Sequence, residues 1–520
     1  MKKIKVKRLL ASFLALFMCF CFLFSCGNGA KTTNSGSSAV VTDGSNSGVG
    51  SASTDTSLPS GTGNDSSTEA FPPDVPPSPP KWAEKWCGQT LNVLVTTWET
   101  ENAVAPWTQP ELIAKDWQSD GAESIVNNAV LRRNADILEK YGVTVNWINA
   151  RGSQISSLLS EAKAVGNQKY HIAMPRVGEA QKLVENGLVC DLANSKYINL
   201  DMSYYSQASV EAYTINGKTL FVSGDFSFLD ELSSYVTFYN AAMLDGLEPG
   251  AVPDFYKLVK DGKWTVDEMI NVAKLVTKNS GSPQWTDEDT YGFATQGMVQ
   301  FYGYGGIKQV SVENGQYKLY DGKTNFNSVI EHILNINSAA YARTEWNSDP
   351  VYAFMDGRAL FYNGPLQKIE LFNSQNENFK VGVLPNPMVT EGQEKHYTLC
   401  GKETVLMCVP KTTENREMSD GFVELLSYTG GKYIQTNYVE KIRTFIFPEL
   451  SDEGAEMLTD YIFNGIVYDQ GYLNDVLTEV FEDTYKGSFG YVEPEKTQEA
   501  LAKAEATVEK WNKNWFAYTE

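Results

Sequence analysis

Between Leu91 and Met174 the apolar residues recur with two different periods. Leu91-Asn-Val-Leu-Val-Thr-Thr97 is a β-branched run bounded by turn residues, which predicts a strand. From Ile125 to Tyr141 the apolar positions (Ile125, Ala129, Leu131, Ile137, Leu138, Tyr141) sit at helical spacing among Arg, Asn and Glu, which predicts an amphipathic helix. Gly142 stops it, and Val143-Thr-Val-Asn-Trp-Ile148 predicts a second strand. Ile155 to Val165 predicts another helix, His171-Ile-Ala-Met174 a short buried strand, and Ala180 to Asn186 a further helix. The order β-α-β-α-β implies a parallel sheet covered by helices on both faces. Further on, Thr265 followed by Glu268 forms a capping box that opens a helix from Val266 to about Val276. The Ala/Glu/Lys-rich stretch from Gln498 to Trp511 predicts a C-terminal helix packed on a lobe surface.

The first eighty residues follow neither period. Lys2, Lys3, Lys5, Lys7 and Arg8 precede an apolar run from Leu9 to Phe24 broken only by Ser12. A basic head, a short apolar run and a small residue before Cys26 describe a secretory signal. Leu23-Phe-Ser-Cys26 resembles the lipobox of bacterial lipoproteins, which implies a lipid on Cys26 as the first mature residue. A plain signal peptide and a retained anchor are the alternatives, the run being short of the roughly 20 residues of a spanning helix. Gly27 to about Thr68 is mostly Ser, Gly, Thr, Asn, Asp and Ala, too polar to order itself. Phe71 to Pro80 carries six prolines in ten residues, a stiff polyproline spacer. The expected division is a signal at 1–25, a lipid-anchored linker at 26–80, and a folded body from Lys81. That body stands just outside a cell membrane, on its extracytoplasmic face.

About 440 residues remain for the body, enough for two lobes. The formal charge of −21 becomes −26 (−21 − 5) once the five basic residues of the signal are removed. Such an acidic surface repels phosphate backbones and anionic headgroups, which excludes nucleic acid as a partner class. Outside the signal and Cys26, only Cys87, Cys190, Cys400 and Cys408 remain, at no zinc spacing, and read as small buried apolar residues. His171, His332 and His396 are the only histidines, scattered in sequence, so no metal or cofactor is expected. Asp287 and Asp289 before Gly292 are a solvated turn in preference to a calcium loop, because no Glu closes the pattern.

Several segments, taken in order, resemble extracellular family 1 solute-binding proteins. Arg133-Asn-Ala-Asp-Ile-Leu-Glu-Lys-Tyr-Gly-Val-Thr-Val145 is similar to their first helix-to-strand turn. Val184 to Leu192 and Tyr213 to Phe221 resemble the segments leading to the hinge, and Val236-Thr-Phe-Tyr-Asn240 the crossing strand. Phe354-Met-Asp-Gly-Arg-Ala-Leu-Phe-Tyr-Asn-Gly-Pro365 resembles a stretch of the sugar binders, and Val381 to Pro385 and Cys400 to Leu426 follow as return strand and helix. The resemblance spans about 90 to 450. It implies a type II periplasmic-binding fold, two α/β lobes joined by hinge-crossing strands with ligand in the cleft. On that reading 81–235 with 397–435 form the first lobe, and 236–396 with 436–520 the second. It also implies a monomeric, non-enzymatic lipoprotein that delivers a carbohydrate, an oligosaccharide, to the permease of an ABC importer. An extracellular glycan-acting enzyme and a binder of peptides or amino acids are the alternatives; no Gly-x-Ser-x-Gly motif supports the first.

Ligands of parallel α/β sheets lie beyond the carboxyl ends of the strands. That rule selects Trp98 and Glu99 after the first strand, Arg176 after Met174, and Asp225 near the first crossing. Tyr235, beside the crossing strand, is added from the second lobe, as are Trp346 and Asn363. Sugars offer apolar C–H faces and hydroxyl rims, which call for flat aromatics beside carboxylates and amides. Trp285, Tyr302 and Tyr304 lie in expected loops and are further aromatic candidates. Leu366 stands where sugar binders often have Trp after Gly-Pro, which removes one stacking platform expected of a maltodextrin site.

Overall fold

A computed structural model describes residues 81–97, 99–100, 103–104, 124–151, 154–281, 286, 288–295, 299–320, 349–372, 379–441, 452–477 and 494–519. The signal, Cys26, the linker, Trp98, Trp285 and Trp346 lie outside those residues.

The first lobe is built from β1 (Thr90–Thr97), α1 (Ser124–Tyr141), β2 (Thr144–Arg151), α2 (Ile155–Ala164), β3 (Ile172–Met174) and α3 (Ala180–Glu185). β1 lies between β2 and β3, parallel to both, with Thr90 opposite Thr144 and Val93 opposite Ile172. A later segment then enters the sheet antiparallel: Cys408 bridges Ala173, and Met407 bridges Val222. Period-2 alternation divides this sheet cleanly between two cores. Leu91, Val93, Val95, Val405, Met407 and Val409 join Ile137 and Tyr141 of α1 on one face. Leu94, Ala173, Leu406 and Cys408 join Ile155 and Leu159 of α2 and Leu183 of α3 on the other.

The chain leaves this lobe at Gly224, whose φ is +155° and where a Cβ would come within 2.1 Å of Tyr204 O, so glycine is required there. A short helix, α4 (Leu229–Ser233), carries it to β4 (Tyr235–Asn240) in the second lobe. There α5 (Phe255–Lys260) and α6 (Val266–Val276) precede β5 (Tyr291–Thr295). Thr265 caps α6, its hydroxyl accepting from Glu268 N at 3.3 Å, as the capping box predicts. The hairpin β6 (Val310–Glu313) and β7 (Gln316–Leu319) follows, then β8 (Ala359–Pro365) and β9 (Val381–Leu384). The second sheet is ordered β9-β4-β8-β5; β4 is antiparallel to both neighbours and β8 is parallel to β5. Opposite turns of β8 again feed different cores, Phe361 beside Trp264 and Phe255, Tyr362 beside Phe238 and Phe354.

Two more crossings return to the first lobe. β10 (Thr398–Leu399) runs on to Thr404, after which α7 (Arg416–Gly430) covers the Val93 face. β11 (Ile466–Val467) pairs parallel with β10, Thr398 opposite Ile466. The final helix, α8 (Pro494–Phe516), packs on α3 and on β7. Trp515 Nε1 donates to Gln181 Oε1 at 3.1 Å, Tyr518 Oη accepts from Val189 N at 2.9 Å, and Asn512 clasps the backbone of Tyr317. This helix, within the 436–520 expected in the second lobe, contacts both α3 of the first lobe and the β6–β7 hairpin. Among the described residues no helix is long and apolar enough to cross a membrane, and no cluster of three His, Cys, Asp or Glu could hold a metal.

Candidate functional site

The carboxyl ends of β3 and β8 and the starting end of β4 all open onto the region of the three crossings. Arg176 follows β3 directly, Lys368 follows β8, and Tyr235 begins β4. Glu403 stands on the second crossing, and Tyr472 just beyond the third. Five side chains therefore arrive from both lobes and from the segments between them.

Their electrostatics tie them together. The Glu403 carboxylate acts on Arg176, Lys368, Tyr235 and Tyr472 alike. Burial lowers the pKa values of Arg176 and Lys368, and Glu403 opposes that shift in both. Burial pushes Tyr235 up to about 12, with Glu403 adding to it, so its hydroxyl stays protonated and can donate. Tyr235 and Tyr472 meet edge to face at 6.5 Å, with their hydroxyls 3.3 Å apart. Arg176 Nη2 donates to Lys402 O at 3.3 Å, which anchors the guanidinium to the second crossing. Lys402 in turn pairs with Asp475 and lies 4.8 Å over the Tyr472 ring. Among the described residues neither the Lys368 ammonium nor the Glu403 carboxylate has a hydrogen-bond or ion-pair partner. The arrangement offers cations, a carboxylate, phenol hydroxyls and aromatic edges to a solute rich in hydroxyl groups.

Behind this group the crossings are bound by buried polar contacts. Ser233 Oγ and Thr404 Oγ1 are 2.6 Å apart, and Tyr468 Oη donates to Asp230 Oδ2 at 3.0 Å. Asp469 is fully buried and accepts from Tyr302 Oη at 2.5 Å, Gln309 N at 2.6 Å, Val310 N at 3.0 Å and Gly471 N at 2.8 Å. Asp225, Asp230 and Glu231 form a buried acidic group, and burial raises all three carboxyls above the usual range.

Of the residues selected from sequence, Arg176 and Tyr235 come together at this place. Glu99 lies in a two-residue strand paired with Ala103–Val104. Asp225 is buried beneath the crossings, its backbone N–H held by Tyr204 O at 2.9 Å. Asn363 is internal to the second sheet: its amide donates to Val236 O and Asn386 Oδ1, both at 3.0 Å. Tyr302 and Tyr304 are core side chains, each 1% exposed, with Tyr302 committed to Asp469. Leu366 is buried too, its N–H bound to Ser234 O at 2.9 Å. Sequence reasoning passed over Lys368, Glu403 and Tyr472. The available signal was Gly401-Lys-Glu-Thr404, a charged pair directly before the apolar run that re-enters the first sheet.

Residues 134–455 match the family model described as bacterial extracellular solute-binding protein. Among solved structures, M. tuberculosis UspC shares 14% identity at a TM-score of 0.53, covering 80% of this chain and 100% of that one. A cyclo/maltodextrin-binding protein complexed with maltotetraose shares 13% at 0.52, covering 81% and 96%. The GacH receptor of Streptomyces glaucescens, solved unliganded and with acarbose, shares 16% at 0.50, covering 81% and 99%. Identities this low show the fold and nothing finer. No curated protein matches the chain.

Proposed function

Because this chain belongs to the bacterial extracellular solute-binding proteins, we propose that it captures a carbohydrate between its two lobes and delivers it to the permease of an ABC importer. The observation that carries this reading is the convergence of Arg176, Lys368, Glu403, Tyr235 and Tyr472 at the strand ends. Charged groups and phenols serve the hydroxyl rim of a sugar, while the tyrosine rings serve its C–H faces. Two similar solved structures, one complexed with maltotetraose and one with acarbose, support the same ligand class. A solute contacted by groups from both lobes favours the closed arrangement, which is the basis of a hinge-closure signal to a permease.

The reading includes binding without chemical conversion. Hydrolysis of a glycosidic bond uses two carboxyls facing one bond. Here Glu403 stands among cations and phenols, while Glu179, the other carboxyl acting on Arg176, is buried and accepts from Ser156 N at 3.1 Å. We further place the body at the outer membrane face as a monomer, held by a lipid on Cys26 through the 26–80 linker. A calorimetric screen of the full chain against oligosaccharides tests the ligand class: saturable binding with no product formed supports it, and binding of peptides or amino acids alone overturns it.

A further inference from the structure

A cavity of about 310 Å³ lies apart from the Arg176–Glu403 group and shares no residue with it. Its walls come from the last turn of α5 (Lys260), the stretch ending at His396, and the approach to β11 (Asp460, Tyr461). That volume is at the lower end of the roughly 300–1,000 Å³ of small-molecule sites. Two rings line it, His396 and Tyr461, packed edge to face at 6.0 Å and 75°. His396 is 4% exposed, and its Nδ1 is 2.7 Å from Asn386 O, so this nitrogen carries the proton. Burial keeps its pKa below 6.5, and the imidazole is neutral at pH 7.

Among the side chains that line the cavity the formal charges balance. Lys260 and Lys395 stand against Glu394 and Asp460; Lys260 is already paired with Glu456 at 2.7 Å, and Lys395 Nζ donates to Asn464 O at 3.2 Å. An anion would face the two carboxylates, and a cation would face the ammonium group of Lys395. A purely apolar occupant would strand the polar rim without partners. A small neutral molecule with several hydroxyls and one apolar face satisfies carboxylates, ammonium groups and rings together.

We propose that this cavity is a second binding site, for a neutral polyol of monosaccharide size. Its position gives occupancy a structural consequence. His396 and Gly465 line it, two residues and one residue respectively before the paired crossing strands β10 and β11. An occupant therefore braces the second-lobe ends of two crossings.

The chain has three histidines, so the imidazole of His396 is a convenient reporter. The full chain, labelled with ¹⁵N-histidine, is titrated by NMR with glucose, mannose, galactose and glycerol, with glucuronate and glucosamine as charged comparators. The expected result is a saturable movement of the His396 signals by at least one neutral probe, with Kd on the order of 1 mM. Arg176→Ala and Glu403→Ala should leave that titration in place. Asp460→Ala, an exposed site, and Tyr461→Ala should each weaken it roughly tenfold while the His171 signals stay unchanged. The proposal is overturned if no neutral probe moves His396, if a charged comparator binds more tightly than every neutral one, or if Arg176→Ala abolishes the titration and Asp460→Ala does not.

Discussion

The hydroxyl of Tyr472 lies 3.3 Å from that of Tyr235, joining the third crossing to the first strand of the second lobe. Each ring comes from a different part of the chain, 237 residues apart, and each is affected by the same carboxylate, Glu403.

Tyr472→Phe removes one hydroxyl and leaves Tyr235 without that partner. The expected cost to stability is about 0.5–1.5 kcal/mol, read as a small shift in urea midpoint. Affinity for an oligosaccharide should fall as well. A loss of stability with unchanged affinity would separate the tyrosine pair from the ligand.

Asp469→Ala strands the donors that converge on that carboxylate: Tyr302 Oη and the N–H groups of Gln309, Val310 and Gly471. The expected destabilisation is on the order of 3–5 kcal/mol, since several buried donors lose their acceptor at once. Chemical denaturation of the variant checks it, and a cost near that of a surface substitution would contradict the buried network.

The acidic group beneath the crossings predicts a pH dependence of definite sign. Burial first, and then Asp230, raise the Asp225 carboxyl well above its usual 3.8. Asp230 and Glu231 are the other titrating groups beside it, and both are raised by burial as well. A raised carboxyl means that the folded state binds the extra proton, so its stability is fully present below pH 3.8 and is lost as pH rises through the folded value. Asp225→Asn cannot ionise. Its unfolding free energy relative to wild type, read from chemical denaturation, should therefore climb from pH 4 upward, by at most about 1.4 kcal/mol per pH unit. A difference independent of pH would show that Asp225 does not titrate across this window.

Much of the fold is legible in the sequence because the two periods are strong where a sheet is buried on both faces. The strand and helix expected at Leu91–Thr97 and Ile125–Tyr141 appear as Thr90–Thr97 and Ser124–Tyr141, and the box at Thr265 opens its helix at Val266. Arg176 was reachable because the strand-end rule needs only local order, and Tyr235 because it opens the expected crossing strand. Lys368 and Glu403 were not, since their meeting depends on how β8 and the second crossing lie, which no local pattern encodes. Asn363 shows the opposite difficulty: a polar residue beside Gly-Pro reads as a loop contact, but its amide is consumed within the sheet by Val236 and Asn386. The Gln498–Trp511 pattern predicts a helix but not its seat on α3, which rests on single contacts such as Trp515 to Gln181.

Anchoring has its own test. Cys26→Ala should release the protein from the membrane fraction or leave unprocessed precursor, as seen by fractionation and mass. Retention of a mature-sized product in membranes would exclude the lipid on Cys26.

The central claim, a carbohydrate held between the lobes by Glu403 and its neighbours, is tested most directly by one calorimetric comparison. The full chain and its Glu403→Gln variant are titrated with the tightest-binding oligosaccharide of the screen. Gln keeps the size of the side chain but removes the charge that acts on Arg176, Lys368, Tyr235 and Tyr472. Saturable binding to the wild type is expected, with a loss of about 1.5–3 kcal/mol in the variant, the range of a hydrogen bond to a charged group. Equal affinity in the two proteins would contradict it.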